Sequence, residues 1–195
     1  MHINVHYAIG VVVASISHYF LNLNLIEYSL IIFCAFIIDF DIVFSKYDKD
    51  NNHRNLITHS IWPGSVMLLV GLILLYPLIV ICGAVLIIHI LIDTFDWGIN
   101  LFYTGKTIGV RLLISREEEK NIKEILSNYK VGHSFFVFRY YGSKGFVSVE
   151  VIVFVLMMIA NIFLAVEFWY LVLPYFFFFG FHFYEYKKLK NIENS

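Results

Sequence analysis

Seven residues in the first half of the chain carry side chains suited to a metal centre: His6, Asp39, Asp41, His53, His59, His89 and Asp93. Mixed imidazole nitrogen and carboxylate oxygen ligands suit zinc, manganese or iron better than an ion that seeks oxygen alone. His89 and Asp93 are four residues apart, so on a helix they share a face and can grip one ion. Asp39 and Asp41 are two apart and fall on different faces of a regular helix. Either the helix ends between them, or only one binds the ion and the other serves as a general base. The stretch His53-Arg54-Asn55-Leu56-Ile57-Thr58-His59-Ser60 joins two imidazoles across a short polar segment. Seven candidates exceed the protein ligands of one catalytic zinc. That leaves room for two ions, an arrangement that clamps phosphoester oxygens and activates water. Arg54 is either a charge on a loop or a group facing a substrate anion. The catalytic candidates are therefore Asp39, Asp41 and Arg54, with a divalent cofactor of one or two ions, zinc first and manganese or iron as alternatives. A nucleophile built on Ser60 would need an elbow such as GxSxG, and none surrounds it.

The elements that must hold these residues are membrane helices. The chain has 195 residues, 59% hydrophobic and only 15% charged, where a soluble domain of this size has about a quarter charged. The apolar residues form four blocks, at 3–20, 25–44, 61–93 and 146–184. A helix needs about 20 residues to cross a hydrocarbon core of ~30 Å. The last two blocks exceed one crossing and must fold back, the third near Tyr76-Pro77 and the fourth near its midpoint or Pro174. The expectation is an all-α, polytopic membrane protein of about six transmembrane helices, the third short. The first block has no basic leader and no small-residue cleavage site, so it is expected to be retained. Residues 1–195 form one membrane domain: a four-helix part at 1–99 that carries the site, a cytoplasmic segment at 100–145, and a two-helix hairpin with a basic tail at 146–195.

Basic residues set the orientation. All 14 Lys and Arg fall in three places: Lys46, Lys49 and Arg54; eight between 106 and 144; and Lys187, Lys188 and Lys190. Six spans put these on one face, which the positive-inside rule makes cytoplasmic, with both termini inside. The expected location is the inner cell membrane. An Asp at the centre of a membrane helix costs about 2.5–3.5 kcal/mol on insertion scales, so ionisable residues there need partners. Here the His and Asp candidates gather at the cytoplasmic ends of their spans, although Lys and Arg alone fixed the orientation.

Other polar residues read more blandly. His18 and His182 are expected to pack or hydrogen-bond, and His2 and His133 to lie at the surface, with His2 near enough to His6 to remain a weak ligand candidate. Asp96 either orients a ligand or is interfacial. Glu27, Glu150 and Glu167 are expected to be solvated near span ends. Cys34 and Cys82 sit in apolar runs as small hydrophobes, and no cysteine zinc pattern or disulfide is available. With a net charge of -1, no basic field argues for nucleic acid. In the cytoplasmic segment, Ser115 and Glu118 have capping-box spacing, and 117–129 reads as a short helix with Ile122, Ile125 and Leu126 on one stripe. Residues 48–52 read as a polar turn.

Three patterns together resemble a known family. Asp39-Phe-Asp41, His53-Arg54-x-x-x-Thr58-His59-Ser60 and His89-x-x-x-Asp93, with His6-x-x-x-Gly10 before them, are similar to the YdjM-type inner-membrane proteins identified as metal-dependent hydrolases. The resemblance covers roughly residues 1–100, and the gap between the His-Arg and Thr-His pairs is one residue longer than that family's usual pattern. It implies a polytopic protein with a metal site at His6, Asp39, Asp41, His53, His59, His89 and Asp93. The order of His and Asp also resembles, at the level of fold analogy, the zinc-dependent phospholipase C enzymes. The expected function is a membrane-embedded hydrolase in which metal-activated water attacks a phosphoester or other lipid-like substrate at the cytoplasmic face. Its expected partners are the bilayer and a phospholipid or other amphiphilic substrate, with no nucleic acid. The rivals are a non-catalytic metal-binding protein or transporter, and a scaffold with a structural ion. Transporter sites sit at the midplane between repeats, and no repeat is evident here.

Overall fold

The computed structural model describes residues 2–48 and 52–195. Lys49 and the middle of the expected polar turn lie outside the described residues. Among those described, the chain is all-helical, with 78% helix and no strand. Helix α1 (Ile3–Leu21) ends where Asn22 takes a left-handed conformation, φ 49°, which asparagine tolerates. Asn24 and Glu27 then form a capping box that starts α2 (Leu25–Phe36). Glu27, expected to be solvated, is thus a capping residue. Helix α2 continues directly into an eleven-residue 3-10 helix, Ile37–Tyr47. Runs of that length are uncommon because side chains three apart eclipse, and this one carries both Asp39 and Asp41.

Two single 3-10 turns follow, His53–Asn55 and Ile57–His59. The Ser60 hydroxyl caps α3 (Ile61–Ile73) and donates to the Ile57 carbonyl at 2.6 Å. Leu75 at φ 52° and Pro77 at the first position of α4 (Pro77–Asp93) make the tight reversal read from Tyr76-Pro77. The backbones of α3 and α4 touch: a Cβ on Gly83 would lie 2.5 Å from the Leu68 nitrogen. Gly10 does the same between α1 and α2, where a Cβ would lie 2.7 Å from that of Ala35. Close approach of this kind drives association where lipid removes the hydrophobic advantage of larger side chains.

The segment between α4 and the last two spans holds α5 (Arg116–Lys120), α6 (Ile122–Ser127) and α7 (His133–Gly142). The capping box of Ser115 and Glu118 is present. The helix expected at 117–129 is broken at Asn121, whose φ/ψ of -100°/15° is not helical. Ile122, Ile125 and Leu126 pack onto a small core of Leu113, Ile114, Phe135, Tyr140 and Phe146. Helix α8 (Lys144–Leu164), a 3-10 stretch Val166–Val172 and α9 (Leu173–Asn194) complete the chain. Near the end of α9, the Glu193 carboxylate accepts the N–H of Lys130 and of Val131, both at 3.0 Å, and the Ser134 hydroxyl at 2.7 Å.

Among the described residues, four stretches are long and apolar enough to cross a membrane: Ile3–Leu21, Leu25–Tyr47, Lys144–Leu164 and Val166–Asn194. Helices α3 and α4 are apolar but have 13 and 17 residues, about 20 and 26 Å at 1.5 Å per residue. Helix α1 packs against α2 and α8, and α2 against α4. Their shared interior is apolar apart from linked polar groups, among them Ser15 and Tyr28 at 2.7 Å, with Asn161 donating to Tyr28. Glu150 corrects a second expectation. It is 6% exposed, and its carboxylate accepts from Asn4 at 2.5 Å and from the Tyr140 hydroxyl at 2.9 Å. Glu167 is half-exposed and pairs with His18 at 2.7 Å.

Candidate metal centre

All seven candidates meet at one end of the bundle, in two adjoining groups. In the first, ligand atoms of His6, Asp39, His89 and Asp93 lie within 4.8 Å of one another. In the second, the same holds for Asp41, His53 and His59. The 3-10 helix explains how Asp39 and Asp41 are divided. At three residues per turn, side chains two apart diverge by about 120°, so Asp39 turns to the first group and Asp41 to the second.

Within the first group, His89 and Asp93 share one face of α4 as their spacing requires. His6 comes from α1, its ring stacked on that of His89 at 3.8 Å. His6 Nε2 lies 3.1 Å from Asp93 Oδ1, and His89 Nε2 lies 3.5 Å from Asp39 Oδ1 and 3.8 Å from Asp93 Oδ2. Tetrahedral zinc with N and O ligands at about 2.0–2.2 Å has ligand–ligand edges of about 3.3–3.6 Å. Electron pairs settle the character of the group. His89 Nδ1 is 2.7 Å from the Ala35 carbonyl, which can only accept, so Nδ1 carries the proton. Nε2 of the neutral ring then presents a lone pair to two carboxylates. Among the described residues it has no hydrogen-bond partner, nor do Asp39 Oδ2, Asp41 Oδ1 and His6 Nδ1. Acceptors turned on acceptors in a buried space are costly unless a cation joins them. The donor set fits a divalent ion, and the Ala35 carbonyl is the outer partner that fixes the tautomer of a ligating histidine.

The second group adjoins the first through His59. Its Nδ1 lies 3.2 Å from Asp41 Oδ2 and its Nε2 lies 3.0 Å from Asp93 Oδ2. Burial alone would lower the His59 pKa, but hydrogen bonds to Asp41 and Asp93 outweigh it and raise the pKa to about 9. A proton shared between two carboxylates in this way is the charge that an ion would replace. His53, edge-on to His59 with centroids 5.0 Å apart, is pushed the other way. Burial, with His59 and Arg54 nearby, lowers it to about 4, so its ring is neutral with a lone pair to offer. The Thr58 hydroxyl donates to Asp41 at 2.8 Å.

Arg54, expected as a candidate for holding a substrate anion, is committed to protein carboxylates. Its two terminal nitrogens fork onto Asp96 at 2.6 and 2.8 Å, and one lies 3.4 Å from Asp93 Oδ2. Its guanidinium also lies over Trp97 at 4.8 Å. Burial would raise the Asp96 pKa, but Arg54 outweighs it and holds the carboxyl below its usual range. Backbone bonds lock Asp96 in turn, its carbonyl accepting from Leu113 at 2.7 Å. Asp96 is thus buried and tied through Arg54 to the candidate ligand Asp93. The Ala35 carbonyl had no sequence signal, since a backbone oxygen has none. His2 joins neither group; its ring stacks on Tyr140 at 3.7 Å and on His182 at 4.3 Å. His18 Nδ1 donates to the Leu23 carbonyl at 3.0 Å and its Nε2 pairs with Glu167, and His133 lies 3.4 Å from Glu185.

His6, His59, His89 and Asp93 are each no more than 2% exposed, whereas the Asp39 side chain is 18% exposed and His53 is half-buried. Asp39 and His53 are thus the open edge of the centre. Comparison with family models, with curated proteins and with solved structures finds no match to this chain.

Proposed function

We propose that the chain is a polytopic membrane hydrolase whose His/Asp centre holds one or two divalent ions, zinc first, and cleaves a phosphoester or other lipid-like bond at the cytoplasmic face. The observation that carries this is His89 Nε2, turned toward Asp39 and Asp93 with no hydrogen-bond partner among the described residues. When bound, a divalent ion supplies a water of lowered pKa and an electrophile for the substrate oxygen. His6, Asp39, His89 and Asp93 would hold the first ion, and Asp41, His53 and His59 the second. Asp41 would bind the second ion or serve instead as the general base, since its Oδ1 has no hydrogen-bond partner among the described residues while Thr58 steadies Oδ2. Arg54 holds Asp93 in place and leaves the substrate anion to the ions.

The same proposal takes α1, α2 with its 3-10 extension, α3, α4, α8 and α9 as six spans, with both termini cytoplasmic in an inner cell membrane. Its support is the segregation of Lys and Arg to one side of that arrangement. Kinship to the YdjM-type hydrolases is part of the proposal and rests on the motif residues alone. One observation favours a second reading, a non-catalytic ion site: four of the ligands are almost inaccessible.

Turnover separates the two. Purified protein in phospholipid nanodiscs, loaded with zinc or manganese, is assayed for phosphate or head-group release from phosphatidic acid, phosphatidylglycerol and bis(p-nitrophenyl) phosphate. Metal-dependent release that is lost in His59→Ala and in Asp41→Asn supports hydrolysis. Metal bound without release from any of these substrates, or from ester and amide lipids, would leave an ion-binding protein.

A further inference from the structure

An apolar crevice of about 490 Å³ runs along one side of α2, with Leu171 opposite and Tyr7 beneath. Its α2 wall includes Leu25, Ser29, Ile32 and Phe36. The Tyr7 hydroxyl is spent on the Leu171 carbonyl at 2.7 Å. Ser29 is then the only polar side chain left on that wall, so the crevice offers hydrocarbon along nearly all its length. All three of its walls belong to candidate membrane spans. The twelve residues of α2 rise about 18 Å, more than half of a ~30 Å hydrocarbon core. The volume falls within the range of small-molecule sites, in a groove open along one side.

One end of the crevice is bounded by Tyr7 and Phe36. There Tyr7, Phe36 and Phe178 meet with ring centroids 5.6–5.9 Å apart. Phe36 is the last residue of α2, and Asp39, the accessible ligand of the first group, follows one 3-10 turn later. Tyr7 is next in sequence to the ligand His6. The crevice and the open edge of the centre therefore lie in series along the same two helices.

We propose that this crevice seats one acyl chain of a long-chain phospholipid, with its head group at the Asp39 edge of the metal centre. Seating of the chain follows from the crevice itself; delivery of the head group to the ions rests on the hydrolase proposal. A polar ligand would find no hydrogen-bonding group along the wall beyond Ser29. A chain shorter than the groove would leave its outer end, at Leu25, unfilled.

The test uses the full chain in phosphatidylcholine nanodiscs containing a trace of phosphatidylglycerol with a diazirine on one acyl chain. After irradiation, adducts are mapped by peptide mass spectrometry, and zinc content is measured on the same preparation. The expected result is adducts enriched several-fold at Ser29, Ile32 and Leu171 over the exposed α8 residues Ile152 and Ile159. They should be competed by unlabelled long-chain phosphatidylglycerol and lost in Ser29→Trp, which fills the crevice, but retained in Ser29→Ala. Equal labelling of crevice and α8, in wild type and Ser29→Ala, would overturn the proposal by showing bulk lipid alone, whatever the folding of Ser29→Trp. Crevice labelling in protein that takes up no zinc would support the seat and sink the hydrolase. Zinc uptake with unselective labelling would do the reverse.

Discussion

Asp96→Asn isolates the link between the loop after α4 and the candidate metal centre. The wild-type carboxylate accepts two charge-assisted bonds from Arg54, at 2.6 and 2.8 Å, in a place where Asp96 is 4% and Arg54 6% exposed. Breaking one side of a buried pair costs about 3–5 kcal/mol, because the remaining charge is left uncompensated. Here the cost should fall toward the lower end of that range, about 3 kcal/mol, since Arg54 keeps Asp93 Oδ2 at 3.4 Å. That retained contact has its own consequence. The released guanidinium turns more fully onto Asp93 and competes with an ion for the same oxygen. Loss of an outer partner of this kind weakens metal affinity by about 10–100-fold, or about 1.4–2.7 kcal/mol at 1.4 kcal/mol per decade. Competition titration against a chromogenic chelator measures the affinity, and thermal unfolding in the same detergent measures the stability. Replacing both partners, Arg54→Met with Asp96→Leu, should recover much of the stability while affinity stays low. Asp96→Asn protein that binds zinc as tightly as wild type would refute the idea that this pair positions Asp93.

Five further outcomes are expected. The raised His59 pKa stabilises metal-free protein fully below about 6.5, and that contribution is lost as pH rises through about 9; melts from pH 6 to 10 should show the decline without zinc and little of it with zinc. Because an ion must displace that proton, apparent zinc affinity should rise over the same interval, which titration at several pH values reads directly. His53→Ala should leave the first group intact and lower a two-ion stoichiometry to one by elemental analysis, with unchanged folding. Gly10→Ala should cost about 1–3 kcal/mol from overpacking and also reduce metal content, since it pushes on Ala35, whose carbonyl fixes His89; Glu150→Gln should cost about 1–3 kcal/mol by leaving one buried partner unpaired and spare the metal.

The gathering of the ligands could be read from the sequence because a membrane interior makes each ionisable side chain conspicuous. His6, His89 and Asp93 stand in apolar runs, and their spacing on a helix needs no tertiary knowledge. The division of Asp39 from Asp41 was visible only as a dilemma. Its resolution depends on α2 tightening into a 3-10 helix, which no local sequence rule announces over eleven residues. Arg54 was ambiguous for a different reason. Its partner Asp96 is 42 residues away and is held by a loop that folds back from Leu113, so propensity and periodicity carry no trace of the pairing. Glu150 looked like a boundary residue by position, and only the packing of α1 and α7 against α8 buries it with Asn4 and Tyr140. Asn121 broke a helix whose cap and apolar stripe were both legible, because its neighbours must turn to reach the small core around Ile114.

The most direct test of the metal centre is the metal content of detergent-purified protein by elemental mass spectrometry, with His89→Ala and Asp93→Ala beside wild type. One or two equivalents of zinc, manganese or iron in wild type, lost in both variants while the fold persists by circular dichroism, is the predicted result. Wild-type protein that stays metal-free after reconstitution with each ion would contradict the account, and would make His6, His59, His89 and their carboxylates a hydrogen-bonded network that only holds the helices together.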